Sequence, residues 1–359
     1  MIPKLRAALP ALCLATAPAV HAQLGDVTLY GRLNSDVELV TRRGPDVPSS
    51  RNFRVSSNSS MMGFRGSEPL TRDVSALFQI ESTLQTDVGG GVLAGRETYV
   101  GLRGGWGTLK LGNFLAPYDD IHAIFGNAPT LTSSVLSTAA LWSQGAASKV
   151  TGGFDVPLGN SVRWDSPRIA GVNGSIQYAT TEESNHAHVI SAGAFYTSVQ
   201  VLGGIAYERN TQVRGPGLDD SALSIAGSYS FGIADLGAVY ERLSYETAAG
   251  TLRRNFWGAS VTASALSGLV YAFYGRASNG SGSAPVGTRV GGLASGPDTS
   301  SAQWELSYTY VLTKRTLLYT GYVQIDNRSN ASYTFAINPY AVPIGGKPAG
   351  WVLGFAHFF

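Results

Sequence analysis

From Val27 to Val40 apolar and polar residues alternate. Leu29, Leu33, Val37 and Leu39 fall on one parity, and Thr28, Tyr30, Arg32, Asn34, Asp36 and Glu38 fall on the other. Successive side chains of a β-strand point to opposite faces, so this stretch predicts a strand with one oily and one charged face. Strand-like stretches recur near 53–67, 73–86, 95–103, 106–113, 160–167, 172–182, 187–196, 198–209, 221–231, 233–245, 253–265, 267–277, 302–311, 315–328 and 350–359, about sixteen in all. Short turns are expected at 67–72, 104–105, 167–171, 197, 232, 264–267 and 312–314. Between them fall connections at 41–52, 87–94, 114–159, 183–186, 210–220, 246–252, 278–301 and 329–349, all but 183–186 long and polar. A soluble β-sandwich would also alternate, but it has no reason to place short connections on one rim and long ones on the other. An antiparallel transmembrane barrel does. Tyr30, Tyr99, Trp164, Tyr178, Tyr240, Trp257, Tyr308, Tyr319 and Tyr322 fall toward strand ends, where amphipathic rings sit at a water–lipid boundary. The stretch 278–301, rich in Gly, Ser and Pro, is expected to be a flexible exposed loop.

Composition sharpens that picture. Past Ala22 no 18 consecutive residues are apolar, which excludes a bundle of membrane helices. The 44 Gly, 17 Tyr and 14 Phe, with only 14% charged residues, are unusual for a soluble enzyme. Strands that alternate apolar-out and polar-in resolve this, because they average to neutral hydropathy. Residues 1–22 have the layout of a signal peptide: Lys4 and Arg6, a short apolar run from Ala7 to Val20, then Val20-His21-Ala22 before a cut at Gln23. Cys13 lies inside the apolar run after Leu12, without the small preceding residue of a lipidation signal. Cleavage removes Lys4 and Arg6, leaving 24 basic against 24 acidic residues, and it removes the lone cysteine. No attraction to nucleic acid and no disulfide or thiolate chemistry follow. Residues 23–359 show no linker or composition break and read as one barrel domain.

The ordered motifs resemble the Gram-negative general porins of the β-proteobacterial type. Val27-Thr28-Leu29-Tyr30-Gly31 is similar to that family's opening strand. Gly63-Phe64-Arg65-Gly66-Ser67-Glu68 and Ala76-Leu77-Phe78-Gln79-Ile80-Glu81-Ser82 resemble its second and third strands. Gly95 to Leu102 and Gly107 to Gly112 resemble the fourth and fifth, and Asn160 to Pro167 the sixth. Leu312 to Tyr319 with Ile325-Asp326-Asn327 resembles the fifteenth. The resemblance implies an all-β, sixteen-stranded antiparallel transmembrane barrel, a homotrimer, and a third loop folded into the lumen as a constriction. It also implies that Phe359 and its strand, in which Trp351, Leu353, Phe355 and Phe359 share a parity, form the signal read by the barrel-insertion machinery. The implied surroundings are outer-membrane lipid and lipopolysaccharide.

The constriction loop is then 114–159, which carries Pro117-Tyr118-Asp119-Asp120 and the packable Ala140-Leu141-Trp142. Connections of this length are usually functional or disordered. Arg32, Arg65, Arg96 and Arg163 are expected on the polar face of their strands, with Lys110 beside them and Glu81 among them. Asp119 and Asp120 are expected to face them across the passage, because opposed rows of charge set selectivity in a narrow water-filled gap. Met61 and Asn113 stand where the family often has basic residues, so only a weak anion preference is expected. No cofactor and no catalytic residue is expected. His186 and His188 share a parity, but two histidines without further ligands do not make a metal site. No Gly-x-Ser-x-Gly elbow and no phosphate-cradling glycine loop occurs. The expected function is passive diffusion of small hydrophilic solutes and ions. A substrate-specific porin and a plugged adhesive or structural barrel are the alternatives.

Overall fold

A computed structural model of the protein describes residues 27–44, 47–125, 135–144, 152–182 and 184–359. The segment read as a signal peptide lies outside the described residues. Sixteen antiparallel staves close into a barrel. They are β1 (Thr28–Gly44), β2 (Val47–Ser57 and Met61–Pro69), β3 (Val74–Thr83), β4 (Thr98–Gly104), β5 (Gly107–Phe114), β6 (Leu158–Asp165), β7 (Val172–Thr181) and β8 (Ser184–Thr197). The second half is β9 (Val201–Thr211), β10 (Asp220–Ser230), β11 (Ala234–Thr247), β12 (Gly250–Ala265), β13 (Gly268–Ala277), β14 (Ser301–Thr313), β15 (Thr316–Asn327) and β16 (Lys347–Phe358). Each stave pairs with its neighbour in sequence. β16 returns to β1 in a register running from Arg32↔Phe358 to Arg43↔Lys347. Closure leaves no strand edge for lipid to meet, which a membrane-spanning sheet requires.

The seam is finished by the last residue. The backbones of Gly31 and Phe359 exchange N–H···O bonds of 3.0 and 3.1 Å, and the Phe359 ring lies over Gly31. A β-carbon on Gly31 would come within 2.2 Å of that ring, so a glycine is what admits it. Phe355 points outward on the same strand.

The burial pattern is inside-out relative to a soluble protein. Leu29, Leu33, Val37, Val100, Leu111, Ile205, Leu306 and Leu353 are exposed, whereas Asn34, Asp36, Glu38, Gln177, Glu208, Glu241, Arg254 and Glu305 are buried. Apolar side chains face the membrane and polar ones face the interior, as the alternation predicts.

The short connections fall on one rim, at 70–73, 105–106, 166–171, 198–200, 231–233, 266–267 and 314–315. The other rim departs from expectation in three places. Residues 41–52 and 246–252 are not loops: β1 continues to Gly44 and β2 starts at Val47, and β11 and β12 meet through a turn at 248–249. There the staves run past the membrane into water, where outward positions no longer need to be apolar. The stretch 278–300 is not irregular throughout either. Ser281–Gly282 pairs with β12, and Arg289–Val290 pairs with Leu293–Ala294. Gly282 makes the first contact possible, because at φ +117 a β-carbon there would lie 2.1 Å from the Thr251 carbonyl.

The third connection, between β5 and β6, lies against inward-facing side chains. Its described parts hold a 3-10 turn at Asp119–Ile121, a helical turn at His122–Phe125, and further turns at Thr138–Ala140 and Trp142–Gln144. Tyr118, Ile121, Leu136, Leu141, Trp142 and Phe154 are fully buried with the inward residues Val40, Tyr245 and Phe256. This cluster supplies the apolar core that the barrel wall, turned toward lipid, does not contain.

Candidate functional site

On the staves β1–β6 the inner wall carries a row of cations. A bulge begins it. β1 pairs with the two segments of β2 in registers one residue apart, Ser35↔Ser57 and Arg32↔Met61, so one extra residue is accommodated near Ser59. The bulge turns the Ser59 carbonyl inward, where it accepts a 2.8 Å hydrogen bond from Arg32 Nη2. Arg32 also senses the charges of Arg96 and Glu81. Glu81 is bound to Arg96 Nε and accepts a 3.1 Å hydrogen bond from the Tyr30 hydroxyl. Arg65 stacks over the Tyr30 ring at 4.9 Å and remains exposed. Lys110 lies 2.9 Å from Asp165 and over the rings of Tyr99 and Phe114. Arg163 is bound to Asp120 and, at 2.8 Å, to Asp165, and it donates a 2.9 Å bond to the Leu115 carbonyl.

Thus Arg32, Arg65, Arg96, Lys110, Arg163 and Glu81 do gather on one wall. Two details differ from the sequence reading. Arg96 precedes β4, which starts only at Thr98, and reaches Glu81 from the connecting segment. Asp120 does not face the arginines across a gap. It binds Arg163 directly, because the loop leaves β5 alongside β6 and folds down on that stave first. Burial raises the Asp120 carboxyl above the ordinary carboxylate range, and the Arg163 guanidinium opposes that rise. Asp119 lies 3.6 Å from His122, whose Nδ1 is also 3.2 Å from Asp155. These three donors, all within 4.8 Å of one another, tie the two limbs of the loop and are a set of the kind that could hold a metal ion. His188 stacks on Tyr178, with its Nδ1 3.0 Å from the His186 carbonyl.

Two features escaped the sequence reading. The first is Arg103. Its register partner is Ser75, and it shares the inward parity of Tyr99. With Arg65, Gln79 and Tyr99 it lines a pocket of about 380 Å³ toward the short-turn end of the wall. Neither Arg65 nor Arg103 has a carboxylate partner among the described residues, unlike Arg96, Lys110 and Arg163. Parity counted from Tyr99 would have found it. The second is the anchor of the third loop. Glu241 on β11 accepts 2.6 Å from the Tyr118 hydroxyl, 2.7 Å from Ser143 Oγ and 3.0 Å from the Ser143 amide. Arg254 on β12 binds both Glu241 and the Leu141 carbonyl. The Trp142 indole donates to Ser224 at 3.3 Å, and Gln303 donates to the Ser137 carbonyl at 2.7 Å. Burial, then Glu241, push the Tyr118 phenol well above its ordinary value, so it stays a donor.

Three of the aromatics expected at the membrane boundary are inside instead. Tyr30 and Tyr99 join the wall just described, and Tyr319 donates to Asn34 at 2.7 Å and Asp36 at 3.1 Å, its ring lying over Gly354.

A barrel with lipid outside, charge inside and a loop tied across its interior has clear relatives. The model of a family described as Gram-negative porin matches residues 8–330. The chain belongs to that family. The major outer membrane protein P.IA of Neisseria meningitidis serogroup C is 28% identical over 252 residues, a match covering 63% of this chain and 60% of that protein. The porin therefore matches that relative over less than two thirds of its length. An anion-selective porin from Comamonas acidovorans has the same fold, with a TM-score of 0.78 at 21% identity over 93% of this chain and 99% of that one. In-vitro folded OmpT of Vibrio cholerae, solved in a trimer form, has a TM-score of 0.65 at 15% identity over 93% and 99%. The porin family and its barrel place the protein in the Gram-negative outer membrane.

Proposed function

We propose that this porin is a water-filled channel for passive diffusion of small hydrophilic solutes and ions, with a weak preference for anions. The third loop narrows it, and Arg32, Arg65, Arg96, Lys110, Arg163, Glu81, Asp119 and Asp120 form or border the constriction. The observation that carries the selectivity is the pair of exposed guanidiniums, Arg65 and Arg103, without a carboxylate partner among the described residues, on an inward wall where Arg32 is partly buried against the Ser59 carbonyl and Arg96, Lys110 and Arg163 are ion-paired. Fixed charge lining a narrow aqueous passage biases which ion enters. The family points to a channel rather than an enzyme.

A homotrimer is the assembly that the outer surface supports. The large outward residues on the staves β1–β5, such as Leu29, Leu33, Val37, Phe53, Val55, Phe64, Val100 and Leu111, are aliphatic or Phe, without the Tyr and Trp found elsewhere around the barrel. Apart from Trp106, exposed in the turn after β4, this surface lacks interfacial rings, which suits contact with protein better than contact with headgroups.

Reconstitution in planar bilayers tests the channel. The expected result is stepwise, ohmic conductance that grows roughly in proportion to KCl concentration. A refolded, inserted barrel that conducts nothing would instead be a plugged adhesive or structural barrel. The pocket beside Arg65 and Arg103 favours one second reading, a substrate-specific porin. That reading requires an organic anion to block the current at micromolar concentration.

A further inference from the structure

The third loop carries a set of donors that the cations of the inner wall leave unused. Asp119 and His122 are three residues apart where a 3-10 turn passes into a helical turn, a spacing that puts both side chains on one face. Asp155 meets them from the returning limb. His122 Nδ1 lies 3.6 Å from Asp119 and 3.2 Å from Asp155, and the three donor atoms are all within 4.8 Å of one another. His122 Nε2 is buried with no hydrogen-bond partner among the described residues, so the ring can offer a ligand only through Nδ1. Asp120, next in the chain, is taken by Arg163. Neither Asp119 nor Asp155 has a lysine or arginine partner among the described residues.

Packed neighbours hold each donor in place. The His122 ring meets Trp142 edge-on, with centroids 4.0 Å apart. Phe154, just before Asp155, is fully buried against Tyr118 and Tyr245, at 5.9 and 5.7 Å between centroids. The Tyr245 hydroxyl donates at 2.7 Å to the Gly152 carbonyl of the same limb.

We propose that Asp119, His122 and Asp155 bind a divalent cation of the zinc class, which staples the two limbs of the third loop together. Ligands set tetrahedrally at roughly 2.0–2.2 Å from a metal stand about 3.4 Å apart. The two Nδ1-to-oxygen separations, 3.2 and 3.6 Å, bracket that spacing. Two carboxylates with a neutral imidazole balance the charge of a divalent ion, and a water completes the tetrahedron. The imidazole nitrogen selects against Ca²⁺ and Mg²⁺, which take oxygen donors in larger or octahedral sets. Because Asp155 comes from the opposite limb, the bound ion cross-links the loop, and its binding free energy adds to the stability of the folded loop. The inference does not depend on conduction.

Titration calorimetry of the refolded, untagged porin tests this, with Zn²⁺, Ca²⁺ and Mg²⁺ as probes. The wild type is expected to take up one Zn²⁺ per chain at micromolar concentration, with a raised melting temperature, and millimolar Ca²⁺ or Mg²⁺ should not displace it. His122→Gln and Asp155→Asn should each weaken Zn²⁺ binding at least about tenfold, since losing even a group that only supports a ligand costs roughly 10–100-fold. Both variants should insert and conduct like the wild type in chelator, which separates loss of a ligand from misfolding. His186→Gln with His188→Gln should bind Zn²⁺ as the wild type does. Anomalous scattering at the zinc edge should then place the ion between the two limbs. A wild type that takes up no Zn²⁺ overturns the proposal, as does equal binding by His122→Gln and Asp155→Asn or an anomalous peak only at His186 and His188. A wild type that binds Zn²⁺ but conducts nothing would contradict the channel reading and leave the metal site standing.

Discussion

The two sides of the lumen obey the same alternation and use it differently. On β11, β12 and β14, Glu241, Arg254 and Gln303 point inward and are fully buried, because the third loop lies on them and hydrogen-bonds to each. On β2–β4, Arg65 and Arg103 also point inward, but among the described residues they stay exposed. An inward charge on a barrel stave is therefore structural where the loop sits on it and available to solutes where it does not. Strand parity tells which face a residue occupies. Only the path of the loop tells which role it plays.

The largest effect should come from the covered side. Glu241→Ala leaves Arg254 buried without its partner and removes the acceptor for Tyr118 and Ser143. Removing one member of a buried pair costs on the order of 3–5 kcal/mol. The loop should lose its anchor, giving a lower melting temperature by circular dichroism and larger, noisier single-channel currents. Unchanged current noise would detach the anchor from the pore. Trp142→Ala removes the largest fully buried side chain and should cost about 3–5 kcal/mol by the same melting assay.

A smaller, pH-dependent effect joins the two sides at Arg163. Protonation of Asp120 removes one of the two carboxylates that bind Arg163 and leaves the wall one charge more positive, so anion preference should rise as pH falls. Because burial raises the Asp120 carboxyl, that rise should begin above the ordinary range for an aspartate. In Asp120→Asn the early part of the rise should be missing from the pH profile of the permeability ratio. An unaltered profile would assign it to other carboxylates. Tyr319→Phe should have the smallest effect: the hydroxyl, whose one proton is shared between Asn34 and Asp36 and which accepts from Asn58, is lost at the β15–β16–β1 seam at a cost of about 1–2 kcal/mol, read as a slight drop in melting temperature without any change in conductance.

Much of the barrel was legible because lipid imposes a simple rule on one face. Leu29, Leu33 and Val37 point outward as their parity predicts, and the short turns lie where glycine, proline and polar clusters interrupt the pattern. The rule lapses where the staves leave the membrane, which is why the hairpins at 41–52 and 246–252 looked like loops. Tyr30, Tyr99 and Tyr319 turn inward because an aromatic is at home both in the interfacial belt and on a wet wall; the parity that Tyr30 shares with Asp36 and Tyr99 with Arg103 was the better guide. The site was less legible. The grouping of Arg32, Arg65 and Glu81 followed from parity, whereas the bond from Asp120 to Arg163 depends on the direction in which the third loop leaves β5. Glu241 and Arg254 lie 13 residues apart on neighbouring staves, and the carboxylate matters only because Tyr118 and Ser143 come to it from far along the chain.

The two exposed guanidiniums, Arg65 and Arg103, are proposed to set the sign of ion selectivity. The direct measurement is the zero-current potential across a tenfold KCl gradient for the wild type and for Arg65→Gln with Arg103→Gln. A wild-type potential of anion-selective sign that collapses toward zero or reverses in the double variant, at nearly unchanged conductance, is the predicted result. A wild-type potential of cation-selective sign, or a double variant indistinguishable from it, would contradict the account.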